Sequence, residues 1–166
     1  MKDFKSIVDE YYPILYKIGR SFTSNSADFD DLYQDMLIQI YDSLKSFRSE
    51  SKLSTWIYRV ALNTALTFNR SNKKKHNETH DGNWEYLEEE DKTETTAQER
   101  ESNIEMLYAA INELKKEERA IVLLHLEGKQ YEEIADIMGI SKSNTGVKLM
   151  RIKNRLQTIL RRKGYE

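Results

Sequence analysis

A single proline, Pro13, and six glycines are the only strong helix breakers among 166 residues. Proline removes a helical hydrogen bond and glycine weakens a helix, so their scarcity favours long helices. Charged residues make up 33% of the chain and hydrophobic residues 39%, which supplies both faces of amphipathic helices. The chain has no cysteine, which excludes disulfides, thiolate metal sites and thiol catalysis. We therefore expect an all-α protein.

Charge divides the chain into three parts. Residues 1–75 have a net charge of +3, residues 76–100 of −7 and residues 101–166 of +2. The middle part has few apolar residues and no sustained period, which is typical of a linker. We therefore expect two small helical domains joined by a flexible acidic linker. No apolar run is long enough to span a bilayer and the N-terminus lacks a signal core, so we expect a cytoplasmic chain without membrane insertion.

Three apolar stripes at helical spacing predict three helices in the first domain. Pro13 lies inside the first stripe and is expected to kink or restart that helix. The second helix is expected to begin near Asp28. Away from its buried stripe lie four residues spaced i, i+3, i+4 and i+7, namely Asp31, Gln34, Asp35 and Ile38. Such an acidic and amide face with one apolar side chain is either a docking surface for a basic partner or a solvated helix face.

The third stripe follows a polar loop that runs from Phe47 to Lys52. The opposite side of this helix carries Thr55, Arg59, Asn63 and Arg70. Arginine, asparagine and threonine side chains contact phosphates and base edges alike. Trp56 falls beside the apolar stripe, which favours core packing over a role as a stacking platform.

The second domain contains a pattern typical of a helix-turn-helix. A short predicted helix ends at Met138, and Gly139 accepts the positive φ of a tight turn. Ser141 is a good N-cap for the helix that follows. Any antiparallel helix pair can carry the same pattern. The following helix strengthens the prediction, because Ser141 to Lys163 contains eight Lys and Arg and no Asp or Glu, which favours phosphate contact. On its outer face, Val147 is either a thymine-methyl contact or a chance apolar residue.

Four stretches of the chain, in order and at family spacing, resemble the extracytoplasmic-function (ECF, group 4) sigma factors of bacterial RNA polymerase. DLYQDMLIQIYDSLKSF resembles conserved regions 2.1–2.2, and STWIYRVALNTALTFNR resembles regions 2.3–2.4. KKEERAIVLLHLEGKQYEEIADIMGIS resembles regions 4.1–4.2, and TGVKLMRIKNRL the end of the recognition helix. The resemblance implies sigma domain 2 over 1–75 and helix-turn-helix sigma domain 4 over 101–166. It implies a chain that binds core polymerase and directs it to promoters, without catalytic residues, cofactor or metal.

The resemblance also implies roles for individual residues. Docking on the clamp helices of the largest polymerase subunit is implied for Asp31, Leu32, Gln34, Asp35 and Ile38. Recognition of the minus-ten promoter element is implied for Phe47, Ser49, Ser54, Arg59, Asn63 and Arg70. Recognition of the minus-thirty-five element is implied for Ser143, Asn144, Val147, Lys148, Arg151 and Arg155. The family further implies an anti-sigma factor as regulator and a linker that runs toward the polymerase active-site cleft.

Two positions depart from the family pattern, and two other functions are open. Gln130 stands where a Ser or Thr N-cap is usual, and Gly146 costs the recognition helix up to about 1 kcal/mol.

One alternative function is that of an autonomous helix-turn-helix regulator that binds DNA without polymerase, which normally needs a dimer interface or a sensor domain. The other is a pure interaction module, against which the all-basic last helix argues. Dependence on core polymerase discriminates between a sigma factor and an autonomous regulator.

Overall fold

The computed structural model describes residues 2–68 and 96–165, and these residues form seven α-helices and no strand. In chain order the helices are α1 (Phe4–Phe22), α2 (Ser26–Leu44), α3 (Leu53–Thr67), α4 (Ala97–Asn112), α5 (Lys116–Leu126), α6 (Tyr131–Met138) and α7 (Lys142–Arg162). Helices α1–α3 form an N-terminal bundle and α4–α7 a C-terminal bundle, so the all-α class is confirmed. Most of the expected linker lies outside the described residues, and α4 begins at Ala97.

The N-terminal bundle buries the predicted stripes of its three helices. Helix α1 runs through Pro13 without interruption, so the expected restart there is wrong. Pro13 is exposed, and so is Asp9, whose carbonyl group has no helical donor because proline lacks an N–H group. Helix α2 begins at Ser26, before the expected Asp28, because the Asn25 side chain accepts a hydrogen bond from the Asp28 amide at 2.8 Å.

Helices α1 and α2 approach closely at Gly19. A Cβ atom at this position would lie 2.5 Å from the Phe29 ring of α2. Real Cβ atoms do not come so close to carbon atoms, so only glycine lets the two helices pack at this distance. Gly19 therefore fixes how α2 sits on α1.

The helix-turn-helix predicted in the second domain is confirmed. Helix α6 is followed by its C-cap, Gly139, which has a φ of 69°. The Ser141 hydroxyl caps α7 by accepting a hydrogen bond from the backbone N–H of Asn144 at 3.1 Å. The Gln130 side chain does not cap α6. Instead the Glu133 carboxylate accepts a hydrogen bond from the backbone N–H of Gln130 at 2.8 Å, which satisfies one of the free backbone donors at this helix start.

The two bundles pack against each other along a seam formed by α1 and α3 on one side and α4–α6 on the other. At the seam, Lys17 forms an ion pair with Glu127 at 2.9 Å. Arg20 is only 4% exposed, and its guanidinium carbon lies 4.3 Å from the centre of the Tyr108 ring. Burial raises the pKa of Tyr108 to about 12. No local sequence pattern predicts a contact between the two domains, and the seam is visible only in the structure.

Candidate docking and nucleic-acid surfaces

The outward side of α2 carries the predicted acidic face. Asp31, Gln34 and Asp35 are exposed, and the Ile38 side chain is 55% exposed. We call these four residues the docking face. The structure corrects the fifth residue of the predicted set, because Leu32 is fully buried in the bundle core and has no surface left for a partner. Leu32 supports the face from below instead.

Tyr41 extends the docking face, although it is not among the residues selected from the sequence. The ring does pack edge-on against Phe4, with centroids 5.2 Å apart, but the residue remains 51% exposed. The available signal was its position, because Tyr41 follows Ile38 by three residues and so lies on the same side of the helix. Two large apolar side chains therefore stand in water beside the carboxylates.

The loop between α2 and α3 forms a pocket of about 370 Å³ with the start of α3. The Phe47 and Trp56 rings lie 5.0 Å apart, centre to centre, and both line this pocket. We call it the aromatic pocket. Trp56 also packs against the core, so the predicted core role holds while one part of the ring stays accessible. The loop is tightly bent, since Ser49 has a φ of 58°, which non-glycine residues seldom adopt.

The structure brings together only some of the predicted minus-ten residues. Phe47 and Arg59 line the aromatic pocket, together with Arg48 and Glu50, which the sequence analysis did not select. Ser49 and Asn63 are exposed and Ser54 is half-buried, and none of these three lines the pocket. Arg70 lies outside the described residues.

One further residue at the aromatic pocket comes from the other bundle. Arg59 donates a hydrogen bond to the Asp136 backbone oxygen at 3.2 Å, and its guanidinium lies 3.4 Å from the Asp136 carboxylate. Asp136 belongs to α6 and also lines the pocket. No local pattern in the sequence connects these two residues, which are 77 positions apart.

The first turns of α7 present most of the predicted minus-thirty-five residues to solvent. Ser143, Asn144 and Arg151 are exposed, and Val147 is 43% exposed. Met150 is 60% exposed three residues after Val147, and the sequence analysis missed it. Its signal was an apolar residue outside the buried stripe. Two apolar side chains therefore accompany the polar ones on this surface, which suits contact with thymine methyl groups.

Many basic side chains of α7 are paired with glutamates of the same bundle. Lys148 binds Glu117 at 3.0 Å, and Arg155 binds Glu118. The Lys142 ammonium pairs with Glu132 of α6. The predicted basic face is therefore partly neutralised before any DNA arrives, which the count of charges along α7 could not indicate.

The end of α7 is held in the same way. Glu113, which follows α4, accepts from Lys163 at 3.0 Å and also binds Arg162. The hydrogen bond from Lys163, followed by that from Arg162, lowers the pKa of the Glu113 carboxyl from its ordinary value. Arg151 is exposed and has no ion pair within residues 2–68 and 96–165. Among the three cations of the predicted minus-thirty-five set, Arg151 is therefore the one that can meet a phosphate without giving up an internal partner.

Two kinds of feature are absent from the described part of the chain. No group of three or more His, Asp or Glu side chains there is arranged to hold a metal ion. Within the same residues, no helix combines the length and the apolar character required to cross a bilayer.

Comparison with known proteins identifies both bundles. Residues 7–75 match the Sigma-70 region 2 family, and residues 104–156 match Sigma-70 region 4. The chain is 29% identical over 173 residues to the ECF RNA polymerase sigma-E factor of Haemophilus influenzae, covering 96% of this chain and 90% of that protein. It is 31% identical over 152 residues to the sigma-E factor of Escherichia coli K12, covering 82% of this chain and 78% of that protein.

Two solved structures share the fold. One is the sigma factor RpoE of Bartonella quintana in complex with the anti-sigma factor NepR, with a TM-score of 0.66, 24% identity and coverage of 97% of this chain and 98% of that one. The other is CnrH in complex with the cytosolic domain of CnrY, with a TM-score of 0.64, 19% identity and coverage of 95% and 86%. Together with the sequence matches, they show that this chain belongs to the sigma-70 family and is an RNA polymerase sigma factor of the ECF type.

Proposed function

We propose that the chain binds core RNA polymerase through the docking face and reads the two promoter elements through separate surfaces of its two bundles. One observation carries the docking assignment. Ile38 and Tyr41 are each about half exposed on α2 beside Asp31 and Asp35, which have no ion pair in the described part of the chain. Exposed apolar side chains beside unpaired carboxylates suit a basic partner that covers them. In this family, the candidate partner is the pair of clamp helices of the largest polymerase subunit.

The aromatic pocket is proposed to capture a base of the minus-ten element. A base removed from the duplex loses stacking, at a cost of a few kcal/mol, and regains it against aromatic side chains. Phe47 and Trp56 offer such rings at the pocket wall, and Arg59 places a positive charge beside them. Ser49, Ser54 and Asn63 are then secondary contacts around the pocket, and Arg70 is retained from the sequence alone.

The first turns of α7 are proposed to enter the major groove at the minus-thirty-five element. Ser143, Asn144 and Val147 are exposed in the first two turns of this helix, and recognition helices contact base edges through their N-terminal residues. Lys148 and Arg151 then face the phosphates. Arg155 is expected to contribute less to DNA binding, because it must break its ion pair with Glu118 before it can bind a phosphate.

The internal ion pairs also support dependence on polymerase over autonomous DNA binding. Affinity for DNA in the absence of other partners grows with the number of phosphates neutralised by free cations. Helix α7 commits Lys142, Lys148 and Arg155 to glutamates, so the chain alone binds DNA weakly. Polymerase supplies the remaining contacts and all of the chemistry, which leaves this chain without an enzymatic activity and places its action in the cytoplasm.

The proposed organisation is sigma domain 2 over 1–75, an acidic linker over 76–100 that runs toward the active-site cleft, and sigma domain 4 over 101–166. An anti-sigma factor is the proposed regulator. This regulator is supported by the solved structure of RpoE from Bartonella quintana, which shares the fold and is bound to the anti-sigma factor NepR.

Run-off transcription with purified bacterial core polymerase on a pool of genomic fragments tests the proposal. The wild-type chain is compared with Asp35→Arg combined with Ile38→Glu, which reverses a charge and removes the apolar contact. The control is Asp9→Arg, which makes the same Asp-to-Arg replacement alone, at an exposed position of α1. The affinity of each chain for core polymerase is measured in parallel, and circular dichroism checks the fold.

We expect discrete transcripts only when wild-type chain and core polymerase are both present. The double variant is expected to lose at least about thirtyfold in affinity for core, because truncation of a central interface contact costs about 2 kcal/mol or more. The Asp9→Arg chain is expected to behave as wild type. A strong salt-sensitive shift of DNA by the chain alone, without transcripts, would instead identify an autonomous regulator.

A further inference from the structure

The seam between the bundles covers a surface that the proposed function requires to be open. Arg59, the proposed minus-ten cation, lies against the backbone oxygen and the carboxylate of Asp136. The same Asp136 completes the wall of the aromatic pocket, whose other lining residues belong to the N-terminal bundle. A carboxylate beside an arginine presents the charge and the acceptor oxygens that a DNA phosphate would bring.

Other contacts hold α6 in this position. The Lys129 ammonium lies 4.9 Å from the centre of the Tyr58 ring, and Lys17 pairs with Glu127 where both side chains are less than one quarter exposed. Lys129 and Glu127 belong to the turn that connects α5 with α6. The turn is therefore anchored on α1 and α3 immediately before α6 begins, which directs Asp136 onto Arg59.

The packed arrangement is incompatible with simultaneous reading of both promoter elements. Their names place the elements 25 base pairs apart, which corresponds to about 85 Å of duplex at 3.4 Å per pair. Helix α7 has 21 residues and spans only about 32 Å at 1.5 Å per residue. With α6 in contact with α3, the start of α7 cannot lie 85 Å from the aromatic pocket, so the bundles must separate on a promoter.

The docking face, in contrast, lies away from the seam. Helix α2 packs on α1 and α3, and its outward residues Asp31, Asp35 and Ile38 remain exposed while the bundles are closed. The closed chain therefore offers its polymerase-binding surface and withholds its minus-ten surface at the same time.

From these observations we infer that Asp136 is an internal substitute for a DNA phosphate, which latches α6 over the aromatic pocket until the bundles separate. The latch regulates the proposed minus-ten site and therefore rests on the proposed function. It predicts that the free chain is closed, binds single-stranded DNA poorly, and opens when it is assembled with core polymerase and promoter. Removal of the Asp136 carboxylate shifts the free chain toward the open form without polymerase.

The test compares Asp136→Arg with Glu132→Arg as a matched control. Both variants make the same charge change on an exposed residue of α6, but Glu132 pairs with Lys142 inside the C-terminal bundle and not with Arg59. Because the chain has no cysteine, Lys5→Cys on α1 and Gln157→Cys on α7 provide two specific sites for fluorescent labels. Energy transfer between the labels reports closure, and anisotropy of a labelled oligothymidine reports access to the aromatic pocket.

We expect high energy transfer in the free wild-type chain and a fall in transfer when core polymerase and promoter DNA are added. In the free chain, Asp136→Arg is expected to lower the energy transfer. It is also expected to tighten oligothymidine binding about three- to tenfold more than Glu132→Arg does. This range reflects the modest strength of a part-exposed ion pair together with the repulsion between the introduced arginine and Arg59. Equal transfer and equal DNA affinity in the two variants would overturn the latch, as would low transfer in the free wild-type chain. Run-off transcription on the same samples separates this outcome from failure of the proposed function, because the latch is measured without polymerase.

Discussion

Helices α2 and α7 both carry charge of one sign outward, but they treat it in opposite ways. The acidic side chains Asp31 and Asp35 of α2 are exposed and have no ion pair within the described residues. On α7, by contrast, Lys148, Arg155 and Arg162 are each bound to a glutamate of the same bundle. Unpaired like charges repel one another, so the carboxylates of α2 contribute no stability to the chain until a basic partner binds them. A run of charge in a sequence thus does not indicate whether that charge is available.

The two helices also differ in how they sit on their neighbours. Helix α2 is in close contact with α1, since a Cβ atom at Gly19 would collide with the Phe29 ring. Helix α7 is seated more loosely on α6, since a Cβ atom at Gly146 would lie 3.5 Å from Tyr131, an ordinary contact distance. At these two positions, the packing between α1 and α2 leaves no space for a methyl group, whereas α7 has space for one beside α6.

The largest effect is expected from Gly19→Ala. The added methyl group overlaps the Phe29 ring, and overpacking of this kind typically costs about 1–3 kcal/mol. The free energy of unfolding, measured with urea, is expected to fall by this amount. If stability is unchanged, the Phe29 ring moves aside freely and α2 is not seated as tightly as we describe.

The same substitution in α7 is expected to have the opposite sign. Gly146 lies in the helix interior with space for a methyl group beside Tyr131, so Gly146→Ala should gain up to about 1 kcal/mol from helix propensity. Urea unfolding under identical conditions gives the comparison with Gly19→Ala. A loss of stability would show that α7 is packed as closely as α2, contrary to the difference drawn above.

A third effect concerns the availability of charge on α7. Lys148→Ala is expected to weaken promoter binding by the polymerase complex about threefold and to reduce the salt slope by about 1, as for one lost phosphate contact. Glu117→Gln releases Lys148 from its internal pair and is expected to strengthen promoter binding slightly. Affinity for core polymerase should be the same in both variants. If promoter affinity and salt slope are unchanged in Lys148→Ala, Lys148 does not contact DNA and its role is limited to the ion pair with Glu117.

The smallest effect is expected from acid. Hydrogen bonds from Lys163 and Arg162 lower the pKa of Glu113 below its ordinary value of 4.5, so its contribution to stability is complete above that value. It is lost as the pH falls through the lowered pKa, because protonation removes the charge that both cations bind. The residue is surface-exposed, so we expect only a few tenths of a kcal/mol. Urea unfolding near pH 6 and near pH 3 should show a smaller pH dependence for Glu113→Gln than for wild type.

Local sequence patterns were sufficient to predict the helices and the helix-turn-helix. The positive φ of Gly139 and the N-cap of Ser141 follow from intrinsic residue preferences, and both are found where predicted. Pro13 misled the prediction of a helix restart, because a proline inside a helix is tolerated where its surroundings are solvated, and the packing of α1 decides this. Leu32 entered the docking set through the family resemblance alone, since the helical spacing of the outward face does not include it, and it is buried.

The candidate site was less predictable, because its decisive contacts join distant parts of the chain. Arg59 and Asp136 are 77 residues apart, and Arg155 and Glu118 are 37 residues apart. Neither pair leaves a periodic or motif-like trace in the sequence. Exposed apolar residues such as Tyr41 and Met150 were missed for a related reason, since exposure depends on which neighbours cover a side chain.

The buried arginine at the seam determines what kind of junction the two bundles share. Arg20 is 4% exposed, stacks over the Tyr108 ring, and its backbone oxygen accepts a hydrogen bond from Asn112 at 3.1 Å. A guanidinium shut away from water has lost its hydration, and separation of the bundles restores it. Rehydration therefore offsets part of the contact energy lost on opening, as at a transient interface between two folded proteins. A wholly apolar junction of the same area would lack this compensation, so the arginine lowers the free energy needed to separate the two bundles.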